Sequence, residues 1–165
     1  MLELEFAGIR IQLPANQPLL LLKYPERNLY LPLWIGAPEA SAIAMSEQGL
    51  TPPRPMTHDL LISVIESMGV KLERIEIVSV HNAVFVAELV LSNGKRVDSR
   101  SSDAVALAVR AQCPIMCAED VLEEAGVAIE NESDCEEAPE EQMREFREFL
   151  DNIDPEDFSS YKSDV

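Results

Sequence analysis

Basic charge is what this chain has least of. Its 165 residues hold 13 Lys and Arg against 30 Asp and Glu, a net charge of −17. A protein held on nucleic acid by counterion release needs a basic face, and the overall balance offers none. Three cysteines, an odd number, do not make a disulfide framework. Cys113 and Cys117 are four residues apart, but no second Cys/His pair accompanies them and Cys135 sits in a polar stretch. Buried reduced thiols are therefore expected rather than half a metal site. The six glycines are scattered singly at the ends of elements, which excludes a Gly-rich phosphate loop. No apolar run approaches the roughly 20 residues needed to cross a bilayer. The N-terminal run MLELEFAGIRIQL places acids where a signal peptide is basic. These absences predict a soluble, cytoplasmic protein with no membrane partner.

What is present is organised. Apolar residues make up 47% of the chain, ample for one core. The charge is uneven: residues 1–129 carry 16 acids and 10 bases, a net −6, whereas residues 130–165 carry 14 acids and 3 bases, a net −11. A local basic patch in the first part remains compatible with those counts.

Leu2, Leu4 and Phe6, then Ile9, Ile11 and Leu13, alternate with other residues on either side of Gly8, which predicts a strand broken by a bulge. Residues 19–24 and 28–35 read as two further strands with KYPERN between them. Pro38 suits the first turn of a helix over EASAIAMSEQ. The stiff loop TPPRPM leads to Thr57, expected to cap a helix that stops at Gly69. Residues 71–80, 83–91 and 96–99 read as three more strands, with His81-Asn82 and Ser92–Lys95 as tight turns. A helix over SDAVALAVRAQ and a short one over AEDVLEEA follow. GAPEASAIAM (36–45) aligns with RSSDAVALAV (100–109), so Glu39 matches Asp103 and the alanines coincide. The reading is an α+β fold of two β3α2 repeats (1–70 and 71–129) forming one curved, barrel-like mixed sheet with helices outside. Residues 130–142 read as an acidic linker. Met143, Phe146, Phe149, Leu150 and Ile153 recur at helical spacing in a final segment, 143–165, which ends in an acidic tail.

Four acids, Glu39, Asp59, Asp103 and Asp120, fall in first turns of expected helices, where an acid offsets the helix dipole by about 0.3–1 kcal/mol. The same carboxylates are candidates for holding Mg²⁺ or Mn²⁺. Capping does not account for Arg54, His58, Asp98 or Arg100. His58 is the kind of side chain that moves protons near neutral pH; otherwise it is a surface histidine at a helix start. Asp98 and Arg100 lie two apart on an extended chain and so share a face. Arg100 suits a phosphate in forked geometry, or an ion pair with Asp98 or Glu39. Ser99, Ser101 and Ser102 lack the G-x-S-x-G elbow and the histidine of a serine hydrolase.

The runs LPLWIGAPEASAIA (31–44), PPRPMTHDLL (52–61) and VDSRSSDAVALAVRAQCPI (97–115) together resemble the bifunctional nuclease family in its bacterial members. The family pattern runs W-I-G-x-x-E-A-x-A-I, then R-P-x-T-H-D-L-L, then D-S-R-P-S-D-A-I-A-L-A. The resemblance spans residues 1–130, with Ser101 standing where the family usually has proline. It implies a nuclease acting on RNA and DNA, with Glu39, Arg54, His58, Asp59, Asp98, Arg100 and Asp103 as site residues by motif position. On that basis Glu39, Asp59, Asp98 and Asp103 are expected to hold or orient a Mg²⁺ or Mn²⁺ ion. His58 would move a proton, and Arg54 and Arg100 would neutralise phosphate. The rival expectation is a non-catalytic, homo-oligomeric regulatory domain in which the same residues form a structural polar network. Its acidic tail would bind a protein partner.

Overall fold

Alternation of period two builds the sheet. In the computed structural model, which describes residues 1–128, β1 (Leu2–Gln12), β2 (Gln17–Tyr24) and β3 (Leu29–Trp34) form an antiparallel meander. The register of β1 against β2 shifts between Phe6 and Gly8, where Gly8 adopts φ +121°, so the predicted bulge is present. β4 (Leu72–His81), β5 (Val84–Leu91) and β6 (Arg96–Arg100) form a second antiparallel meander. Asn82 and Ala83, at φ 51° and 61°, make the tight turn between β4 and β5.

The helices are α1 (Ala37–Glu47), α2 (Thr57–Ser67), α3 (Ser101–Ala111) and α4 (Glu119–Ala125). β7 (Ile115–Cys117) lies between α3 and α4, and β8 (Val127–Ala128) closes the described chain. β7 pairs parallel with β4 and antiparallel with the first residues of β1, so three residues join the two meanders. The strand order is β6-β5-β4-β7-β1-β2-β3-β8.

Two expectations change. The sheet is open, ending in β6 and β8, and is not a closed barrel. The edge explains this: β6 reads RVDSR, with charges that resist further pairing, and β8 has two residues. The cap of α2 also differs. Thr57 is the first helical residue, Met56 occupies the cap, and the Met56 N–H donates to Asp59 Oδ2 at 3.0 Å.

The core is built on the sheet, with Leu20, Leu22, Leu31, Leu33, Ile75 and Ile77 at most 1% exposed. Burying each of these branched side chains contributes about 1.5–3 kcal/mol relative to leaving it exposed. α3 is the central helix. Ala104, Val105, Ala106, Leu107 and Ala108 are all buried, and α3 packs on β4, β5 and β6 as well as on α1 and α2. Alanine on α3 and at Ala40 and Ala42 of α1 permits that close approach. Among the described residues no helix is long and apolar enough to cross a membrane. The linker, the 143–153 stripe, the tail and Cys135 lie outside the described residues.

Candidate active site

The packing of α1 and α2 against α3 brings three helix starts to one cleft of about 730 Å³. Glu39 lies in the first turn of α1, His58 in the first turn of α2, and Asp103 in the first turn of α3. Arg100 is both the last residue of β6 and the N-cap of α3. All four line the cleft with Asp98, above an apolar wall of Leu61, Leu89, Val97 and Leu107. α1 and α3 have no side-chain cap on their first N–H groups, whereas at α2 Asp59 accepts the Met56 N–H; the first turns of all three helices contribute residues to this cleft.

The polar groups form one chain of contacts. His58 Nε2 lies 3.2 Å from Asp103 Oδ1. Arg100 Nε donates to Asp103 Oδ2 at 2.7 Å, and its Nη2 reaches Glu39 Oε1 at 3.1 Å. Burial alone would raise the Asp103 pKa, but hydrogen bonds from Arg100 and His58 outweigh it and hold the carboxyl below its ordinary range. Asp103 is therefore ionised near neutral pH and only accepts, so Nε2 of His58 carries the proton it shares. In the neutral tautomer that this bond selects, Nδ1 is the basic nitrogen. Arg100 is raised above its ordinary value, chiefly by its bond to Asp103. Its side chain is 68% exposed, whereas that of Glu39 is 17% exposed. Gly36 shapes this corner, because a Cβ there would overlap the Glu39 carboxylate.

The remaining candidates lie elsewhere or stand apart. Asp59 neighbours His58 in sequence but turns to Arg110, whose Nε donates to Asp59 Oδ1 at 2.7 Å. Burial acts to raise the Asp59 pKa, and the bonds from Arg110 and the Met56 N–H overcome it, giving a net lowering. Asp59 and Arg110 line a different hollow, of about 470 Å³, beneath the proline loop. Asp98 lines the cleft, in register with Glu88 across β5, and makes no ion pair among the described residues. Arg54 is exposed on the loop and likewise has no ion pair among the described residues; Asp120 is exposed in α4. Cys113 and Cys117 are free thiols, each pushed up to about 11 by burial.

A divalent cation takes six or more oxygen ligands. Among the described residues no three His, Cys, Asp or Glu side chains gather to hold one. The Arg100 guanidinium bridges Glu39 and Asp103, and Asp59 is drawn to Arg110. Of the four carboxylates expected to share an ion, Asp59 thus stands apart from Glu39, Asp98 and Asp103.

Sequence reasoning passed over two groups. Arg110, 8% exposed, also donates to the carbonyls of Ala42 and Ala106 and so ties α1, α2 and α3 together. Glu76, nearly buried on β4, is held by Arg74 and Arg96, and Arg96 also bonds Glu88. The available signal for Arg110 was a single cation in the run AVALAVRA, seven residues after Asp103 and hence on the same helix face.

The bifunctional nuclease domain pattern matches residues 20–130. Two uncharacterized proteins of Mycobacterium tuberculosis are similar over nearly the whole chain, one from strain CDC 1551 / Oshkosh and one from strain ATCC 25618 / H37Rv. Each is 44% identical over 162 residues, covering 96% of this chain and 98% of the relative. The likeness to these relatives thus runs on past residue 130, where the domain match ends.

Proposed function

The chain belongs to the bifunctional nuclease domain family, and from that premise we propose that it cleaves phosphodiester bonds of RNA or DNA in the cleft at the three helix starts. The observation that carries this reading is the contact of His58 with the ionised Asp103, set beside Arg100 in a cleft at the starts of three helices. Cleavage needs a base for the attacking hydroxyl, charge stabilisation at the phosphate and a proton for the leaving oxygen. His58, oriented by Asp103, supplies the base through Nδ1 and returns the proton as an acid. Such a group contributes about 10²–10⁴ in rate. Arg100 and the helix N–H groups receive the phosphate, with Glu39 displaced from the guanidinium as substrate enters. Glu39 and Asp103 occupy matching positions in the two halves, which is how a duplication would set two carboxylates around one arginine.

A second reading has its own observation: every charged group of this chain of contacts already has a partner within it. Such a network can serve to fasten α1, α2 and α3 in a regulatory, non-catalytic domain. One assay separates the two. Labelled single-stranded RNA and DNA are incubated with the full chain, with His58→Asn and with Asp103→Asn, each in Mg²⁺, Mn²⁺ or EDTA. The nuclease reading expects cleavage that is lost in both variants while their circular dichroism is unchanged. The EDTA arm reports whether a metal ion is required. No cleavage, or cleavage equal in wild type and variants, sinks the nuclease reading and leaves the network.

A further inference from the structure

We propose that the exposed face of α2 is where a second copy of this chain docks. α2 buries one residue, Ile65. At 100° per residue, Met56, Leu60, Leu61, Val64 and Met68 fall within one arc of about 140°, and all five are exposed, Leu60 at 51% and Met68 at 65%. The other side chains in that arc are the hydroxyls of Thr57 and Ser67, and the Ser67 hydroxyl already donates to the Val64 carbonyl at 2.7 Å. No charged side chain interrupts it. A solvated helix face on a chain of net charge −17 would carry charge, as the rest of the surface does.

Three observations select a second copy as the occupant. The first is charge: two strongly acidic chains repel, and they meet at least cost across a neutral surface. α2 also has no Lys or Arg, which a helix lying on an anionic bilayer requires. The second is symmetry. Met56, Leu60, Val64 and Met68 recur every fourth residue, and the order Met-Leu-Val-Met reads nearly the same in both directions. An antiparallel, two-fold pairing places each methionine against a methionine and each Leu60 against Val64, as a self-complementary interface demands. The third is size. The five side chains expose on the order of 500 Å² per copy, so a pair buries about 1,000 Å², the threshold for a specific interface. Met56 and Leu61 also line the cleft beside His58, so the seated copy lies along the open side of the candidate site. The inference does not depend on the nuclease reading.

Sedimentation equilibrium of the full chain from about 1 to 100 µM tests it. The expected result is a concentration-dependent dimer that becomes monomeric in Leu60→Asp/Val64→Asp, with unchanged circular dichroism. Met68→Glu, at the exposed end of the stripe, weakens the dimer at least tenfold and guards against misfolding of the double variant. Val84→Asp, an exposed apolar site on β5 outside the α2 stripe, leaves the dimer intact. A wild type that stays monomeric throughout overturns the proposal, whether another segment or a different partner covers the stripe. So does a dimer that survives both α2 changes.

Discussion

Replacing Arg110 with methionine isolates what one buried guanidinium does for this domain. Methionine keeps most of the aliphatic stem and its packing, but it removes the bonds to Asp59 and to the carbonyls of Ala42 and Ala106. A hydrogen bond to a charged group contributes about 1.5–3 kcal/mol and a neutral one about 0.5–1.5 kcal/mol. The Asp59 side chain is 33% exposed, so water recovers part of its loss, and a net destabilisation of about 3 kcal/mol results. For a chain of this length that lowers Tm by about 6–12 °C in a calorimetric or circular-dichroism melt. The pH dependence carries the sharper test. The Asp59 pKa is depressed in the folded protein, so the stability it confers is present above the unfolded value of about 3.9 and is lost as pH falls through the folded value. The gap between wild type and Arg110→Met should hold from neutrality to about pH 5 and shrink below about pH 4. A Tm lowered by less than about 2 °C refutes the reasoning. A gap that persists unchanged in acid assigns the loss to packing and the carbonyl bonds and refutes the ion-pair account.

Glu39→Gln releases one side of Arg100; the catalytic reading expects tighter binding of labelled oligonucleotide and a salt slope steeper by about one, whereas a purely structural network loses stability and gains no affinity. Glu76→Gln removes the carboxylate shared by Arg74 and Arg96. Its pKa is lowered, burial opposing but Arg96 and Arg74 prevailing, so denaturant titration should show a loss of about 2–4 kcal/mol at pH 7 that fades in acid. Cys117, buried and pushed up to about 11, should label with a thiol reagent at pH 8 only as fast as the protein opens; in a Cys113→Ser/Cys135→Ser background, its immediate reaction contradicts its burial.

The sheet was legible wherever the chain alternates for six residues or more. β1 with its bulge, the two meanders and the four helices follow from period and punctuation. β7 and β8, at three and two residues, carry no period to read, yet β7 joins the halves, so the strand order was not accessible. A closed barrel was the natural reading of two similar units; the charges on β6, a local detail, decide against it. Of the residues that motif position named, Glu39, His58, Asp98, Arg100 and Asp103 line one cleft. Asp59 lies apart because adjacent residues on a helix diverge by 100°: His58 faces the cleft and Asp59 faces Arg110. Arg54 sits in a motif that fixes its loop and not its side-chain partner, and sequence offers no means to place it.

The dipeptide His58-Asp59 is clasped by α3 at two points, Asp103 on one residue and Arg110 on the other. Those two α3 residues are seven apart, two helical turns, and so project from the same side of the helix. Asp59 also receives the Met56 N–H, which fixes the start of α2 and thereby the angle at which the imidazole meets Asp103. On the nuclease reading, Asp59 and Arg110 are thus positioning residues for a cleft neither of them lines. Catalytic geometry tolerates errors of well under an ångström, so loosening this second grip should lower kcat while leaving KM near its wild-type value. Asp103 and Arg100, which on the nuclease reading hold the imidazole and meet the phosphate, should affect both. A fall in kcat with a matching rise in KM in Arg110→Met would contradict that division, because it would place Arg110 in contact with substrate, two turns from the cleft.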